Sequence, residues 1–292
     1  MALGPNPIGR RRRLGAELCD LRRQAEIDPD ELARQLGWPK GKVRRLETAR
    51  VRPDLGEIMD LLDALGVTGL RRDYVLELAR EAAHSFGWRD AYDDPAQHDQ
   101  HTLAELANSA LEIWAFELTL FPGMSQCPEY ARARFASRPS VGKTSVDVEA
   151  AVRGRMERQC ALTRETPFHY EAILDETLLI RHCGPPGTRI AQLDHTVRLA
   201  MLPTVTVRVL PFDRPIADHY LPASSFTYFR LADPVDPELV VLDTESSGLI
   251  LGDKEDVSHY KRLFERLREA AFSAEESLAL LMEARDDLEE SP

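Results

Sequence analysis

Six cations and one acid crowd the stretch PKGKVRRLETARVRP, residues 39–53: Lys40, Lys42, Arg44, Arg45, Arg50 and Arg52 stand against Glu47. Cations at this density suit the neutralisation of a polyanion, because each phosphate they cover releases condensed counterions. Arginine adds a second capacity, since its fork of donors matches guanine O6 and N7. The chain as a whole is acidic, at net charge −12. Residues 1–52 nevertheless carry net +6 and the remainder net −18. A small basic module therefore precedes an acidic body, and such a module is expected to bind a polyanion.

Other reactive residue types lack the company their chemistry needs. SRPSVGKT, residues 137–144, imitates a phosphate-binding loop, but Ser137 stands where its first glycine is required and the preceding segment reads as helix. A plain loop is expected there. His98 and His101 are two residues of a metal set with nothing nearby to complete it. His182, Cys183 and His195 read as packing or surface residues, and Asp175 and Glu176 as the cap of a following helix. No nucleophile elbow, paired-glycine dinucleotide motif or zincin motif occurs. We expect no catalytic residue, no metal, no cofactor and no enzymatic activity. Cys19, Cys127, Cys160 and Cys183 show no C-x-x-C spacing and read as reduced thiols.

The elements that must hold the basic run are helices. Leu14, Leu18, Leu21 and Ala25 keep helical spacing. Asp28, Pro29 and Glu31 form a start signal for a second helix carrying Leu32, Ala33 and Leu36, and Gly37 ends it. A third helix, about Pro39–Thr48, offers Val43 and Leu46 inward and leaves Lys40, Gly41, Lys42, Arg44 and Arg45 outward. Asp54 with Glu57 starts a fourth, and Leu70, Tyr74, Leu78 and Ala82 mark a fifth. Five short helices, with the third in the recognition position, make a helix-turn-helix. Gly41 would let the backbone approach the groove, Arg50 and Arg52 would grip flanking phosphates, and Arg10–Arg13 would hold another phosphate or a minor-groove edge.

LRRQAEIDPDELARQLGWPKGKVRRLETARVRP resembles the Xre (phage-repressor) helix-turn-helix family, whose usual pattern is L-R-x-x-x-G-x-s-x-x-x-L-A-x-x-x-G-x-s-x-x-x-V-S-x-L-E-x-G-x-x-x-P. The resemblance implies base contacts from Lys40, Gly41, Arg44 and Arg45, and an ion pair between Arg22 and Glu47 behind the recognition helix. Pro39 replaces a usual Ser cap, Asp30 a usual phosphate-binding Gln, and Ala49 a usual Gly. Further on, PGMSQCPEYARARF, RMERQCALTRETPFHYEAILDETLL and TVTVRVLPF resemble bacterial Xre regulators with a large C-terminal domain of unknown function, described as antitoxin-like. That likeness implies a small partner protein encoded nearby.

The expected layout is a mainly α helix-turn-helix domain over 1–90, a linker over 91–101, and an α/β or α+β domain over 102–292 with a small mixed sheet of about four strands. In that domain a helix is expected over 102–119, strands at 168–175 and 204–211 around a helix near 188–201, two strands in SSFTYFRL and ELVVLDT, and two closing helices. Glu117, Gln126, Tyr130, Arg158, Gln159 and Glu176 are the polar candidates for a pocket or partner surface around PGMSQCPEYARARF. MALGPNPIGRRRRLG lacks the apolar core of a secretory signal, and no run approaches a membrane span, so a cytoplasmic protein is expected. Function then reads as a sequence-specific transcription regulator that binds double-stranded DNA as a homodimer. The alternatives are an antitoxin-like module acting on a small protein partner and a small-molecule sensor.

Overall fold

Asn6 opens the first helix, its side chain accepting hydrogen bonds from the N–H groups of Ile8 and Gly9, both at 2.9 Å. Pro7 takes the first helical position, where its missing N–H costs nothing, and α1 runs Pro7–Gln24. The computed structural model describes residues 6–83, 95–137, 147–165, 168–243 and 248–290. Asp28 caps α2 (Pro29–Gln35) through the Asp30 N–H. Left-handed Gly37 (φ 68°) closes it, with Gly37 N–H on the Arg34 carbonyl and Trp38 N–H on the Ala33 carbonyl. α3 is Lys42–Glu47, shorter than the expected Pro39–Thr48. Gly41 turns left-handed at φ 78° and leaves Pro39 and Lys40 in the turn. Asp54 caps α4 (Leu55–Ala64) on the Glu57 N–H, and α5 spans Gly69–Ala83.

These helices share one core of Leu14, Leu18, Leu32, Val43, Leu46, Ile58, Leu62, Val75 and Leu78. Each such aliphatic contributes about 1.5–3 kcal/mol when fully buried. The stripe expected on α5 is rotated: Leu70 is 89% exposed, and Val75, Leu78, Ala79 and Ala82 face inward. Gly15 brings α1 against the end of α3, since a Cβ there would lie 2.3 Å from the Glu47 carbonyl oxygen.

This helical unit comprises Leu3–Ala91 and also Leu231–Pro237. Within it Arg10 is enclosed by three carboxylates: Nε lies 2.8 Å from Glu81, and the terminal nitrogens lie 2.5 Å from Asp233 and 3.0 Å from Asp236. Arg11 donates to the Ala82 carbonyl at 3.1 Å. Both arginines are buried, so they are structural rather than the phosphate contacts expected of Arg10–Arg13.

The second unit comprises Tyr92–Arg230 with Glu238–Pro292. Of the expected linker over 91–101, residues 91–94 lie outside the described residues, and the rest belongs to α6 (Pro95–Ser109). β1 (Ala110–Glu117) follows at once, where a helix over 102–119 was expected. Ile113, Trp114, Ala115 and Phe116 are buried in succession, which a helix with one inner face cannot satisfy and a strand covered on both faces can. α7 (Pro128–Ser137) and α8 (Val148–Gln159) lead to β2 (His169–Asp175). A single turn, α9 (Thr177–Ile180), and then α10 (Thr188–Ala200) precede β3 (Val205–Leu210). β4 (Phe226–Leu231), β5 (Leu239–Asp243) and β6 (Gly248–Leu251) follow, and α11 (Lys254–Ala270) and α12 (Ala274–Glu290) come last.

The sheet has six strands in the order β3-β2-β1-β4-β5-β6, two more than expected. β1, β2 and β3 are parallel, with Ile113 beside Tyr170 and Ala172 beside Val207. β4, β5 and β6 are antiparallel, with Tyr228 beside Val240 and Val241 beside Ile250. Trp114, Phe116, Ile173, Phe226 and Tyr228 pack with Leu263, Phe264 and Leu267 of α11 in one core. Arg268 of α11 stacks over Trp114 and grips Glu171 with both ends of its fork, at 2.8 and 2.9 Å.

Candidate nucleic-acid interface

Val43 and Leu46 are buried, and they fix which way the six residues of α3 face. Arg44 and Arg45 consequently point to solvent, and Lys40, Arg50 and Arg52 are exposed beside them. Gly41 is part-exposed at the start of α3. Lys42 departs from the sequence expectation. Its ammonium pairs with Glu57 of α4 and sits 4.7 Å from the centre of the Trp38 ring, so it is turned away from the outer face. Asp30 stands among the exposed cations, 3.7 Å from Lys40 and 4.0 Å from Arg44.

Behind α3, Arg22 and Glu47 pair through two nitrogens and both carboxylate oxygens, at 2.5 and 3.1 Å. Both side chains are nearly enclosed. Hydrogen bonding to Glu47 is the largest influence raising the Arg22 pKa, and burial opposes it. The same guanidinium donates to the Ile27 carbonyl at 2.8 Å, so one side chain ties α1, the turn after it and α3. Ala49, standing where the resembled pattern has glycine, adopts φ 55°. Of the pattern's two remaining glycine positions, Gly37 keeps its glycine and Glu26 replaces it, also at φ 55°. Sequence reading noted the first substitution and missed the second, though the same pattern carries both. Left-handed backbone costs a non-glycine residue roughly 1–2 kcal/mol.

In the second unit the polar candidates gather around Phe121–Cys127. Gln126 is buried, donating to the Phe121 carbonyl at 2.7 Å and accepting from Arg155 at 2.5 Å. Gln159 donates to the carbonyls of Gly123 and Gln126 at 3.0 and 2.8 Å. Gln192, which the sequence did not single out, accepts from the Cys127 N–H at 2.8 Å and donates to the Ser125 carbonyl at 2.6 Å. Three glutamines thus satisfy the backbone of a buried loop, which would otherwise leave costly orphan groups. Tyr130 is a buried aromatic edge-on to Phe121, and Arg158 is buried against Gly123, where a Cβ would fall 2.2 Å from its guanidinium. Glu176 lies elsewhere, accepting from the Phe212 N–H at 2.9 Å. Glu117 ends β1, and its charge helps raise the pKa of buried Tyr170, after burial itself. Burial pushes the Cys127 thiol up to about 11 and the His195 imidazole down.

A cleft of about 350 Å³ lies against α11, lined by Asp218, Tyr220, His259, Arg262, Leu263 and Arg266. Asp218 and His219 beside it hold positive φ, 59° and 54°. Among the described residues no group of three or more His, Cys, Asp or Glu is placed to hold a metal, and no helix is long and apolar enough to cross a membrane. The phosphate-loop lookalike at 137–144 lies outside the described residues but for Ser137.

Two family descriptions match the chain: a helix-turn-helix domain over residues 13–75 and a domain of unknown function, DUF5753, over residues 100–283. No curated protein and no solved structure matches it.

Proposed function

Because the chain belongs to the DUF5753 family and carries a helix-turn-helix domain ahead of that region, we propose that it is a sequence-specific DNA-binding transcription regulator of the Xre type. The observation that carries this reading is the pinning of Val43 and Leu46 inside while Lys40, Arg44, Arg45, Arg50 and Arg52 lie outside. Arg44 and Arg45 read base edges in the major groove, Lys40 supports them, and Gly41 lets the backbone approach. Arg50 and Arg52 hold flanking phosphates. Lys42 joins only by leaving Glu57. The C-terminal region mediates dimerisation and control by a partner, an antitoxin-like role that the sequence resemblance supports. Two copies would set two recognition helices about 34 Å apart, one DNA turn, on a near-palindromic operator. The protein then works in the cytoplasm.

A mobility-shift titration on the promoter of its own gene tests this at about 150 mM salt, where counterion effects are moderate. A preference for that promoter over random duplex of roughly a thousandfold or more is expected of a specific binder. Equal affinity contradicts the reading. Co-purification of a stoichiometric small protein would support partner control. A second reading, small-molecule control, draws on the cleft at Tyr220 and Arg262. A ligand there must favour one DNA-binding state over the other.

A further inference from the structure

Asp30 sits in the first turn of α2, an acid on the face that should meet phosphate. Its Oδ2 is 3.7 Å from the Lys40 ammonium, and its Oδ1 is 4.0 Å from Arg44 Nε. The side chains of Lys40 and Arg44 are 87% and 59% exposed, that of Asp30 only 32%. The carboxylate is thus the inner member of a small charged group. Exposed pairs of this kind contribute little to stability, so neither contact holds the fold together, and each is given up when a better partner arrives. Arg44 meets Asp30 through Nε, which leaves the terminal nitrogens of its fork for another acceptor.

We propose that Asp30 is a specificity determinant, a positioning residue that aims Arg44 at a base edge and penalises contact with phosphate. This rests on the DNA-binding reading above. On a non-cognate duplex no guanine edge stands where Arg44 reaches, and the acceptors left to it are phosphates. Lys40 and Arg44 must leave Asp30 to reach them, and the carboxylate then faces the backbone without its cations. On a cognate site Arg44 gives its terminal nitrogens to guanine O6 and N7, which are neutral acceptors, while Nε remains beside Asp30. The carboxylate keeps a partner in the second mode and loses it in the first. Its charge therefore weakens non-specific binding more than specific binding, which widens the difference that defines specificity.

The test selects duplexes from a random pool with the full-length wild type. It then measures wild type, Asp30→Asn and Asp30→Glu on the selected and random duplexes by fluorescence anisotropy across salt concentrations. Asp30→Asn is expected to bind random duplex about tenfold tighter, with a salt slope steeper by about one. Its affinity for the selected duplex should change by less than about threefold, since the base contact survives. Asp30→Glu, which keeps the charge, should hold the selectivity ratio within about threefold of wild type. An unchanged ratio in Asp30→Asn, or equal gains on both duplexes, overturns the inference while leaving DNA recognition standing. A wild type that enriches no sequence overturns the DNA-binding reading and this inference with it.

Discussion

Ala49 and Glu26 hold left-handed backbone at φ 55° without the glycine that would make it strain-free. Replacing either with glycine relieves that strain but adds unfolded-state entropy, so each of Ala49→Gly and Glu26→Gly should stabilise the helical unit by about 0.5–1 kcal/mol. A higher urea midpoint at unchanged slope is the expected signature. Asp236 gives a pH prediction. Burial raises its pKa to about 6, with Arg10 pulling the other way and Asp233 and Glu81 adding to the rise. The folded value lies above the unfolded one near 4, so the native state holds this proton more tightly. Its stabilising contribution is complete below about pH 4 and is lost as pH rises through about 6, roughly 3 kcal/mol in all. Asp233 has the opposite sign, because its lowered pKa contributes stability that is lost on acidification. The difference curve between wild type and Asp236→Asn isolates Asp236. Wild type should lose ground to the variant steadily from about pH 4 to 7, and a flat difference would contradict this.

Gly15 decides how closely α1 and α3 approach. A Cβ there meets backbone, with the Glu47 carbonyl oxygen at 2.3 Å and the Leu46 carbonyl oxygen at 2.9 Å, so no side chain can swing away. Gly15→Ala should destabilise by about 1–3 kcal/mol and displace the exposed arginines. Specific DNA affinity should then fall more than random affinity does. Breaking the Arg22–Glu47 tie by Arg22→Ala leaves Glu47 enclosed without its cation, and about 3–5 kcal/mol of stability should go with it, read by urea unfolding. Elements marked by local chemistry were legible in the sequence: Asp28, Gly37 and Asp54 announce where helices start and stop, and they do so here. β1 was not, because Leu103, Leu106, Ala110 and Ile113 keep helical spacing while burial on both faces removes the alternation that betrays a strand. The exposed face of α3 was legible from the narrow stripe of Val43 and Leu46. The diversion of Lys42 was not, since Glu57 belongs to another helix, nor the enclosure of Arg10, whose partner Asp236 lies 226 residues further along the chain. The roles of Gln126, Gln159 and Gln192 depend on a buried loop whose need for donors and acceptors no local pattern reveals.

Across the whole molecule, charge is divided as net +6 over residues 1–52 and net −18 over the rest. Cations are concentrated where the duplex is proposed to lie, so salt should weaken binding steeply, and different arginines should weaken it differently when removed. Arg44→Ala is expected to cost about 1–3 kcal/mol more on the cognate site than on random duplex. Arg50→Ala should weaken all duplexes alike and lower the salt slope by about one. The most direct measurement is the selectivity ratio of the full-length protein, selected over random duplex, for wild type and Arg44→Ala side by side. The account predicts a high ratio that collapses roughly 5–150-fold in Arg44→Ala as the guanine contact is lost. A ratio near one in the wild type, or one that Arg44→Ala leaves untouched, would contradict it.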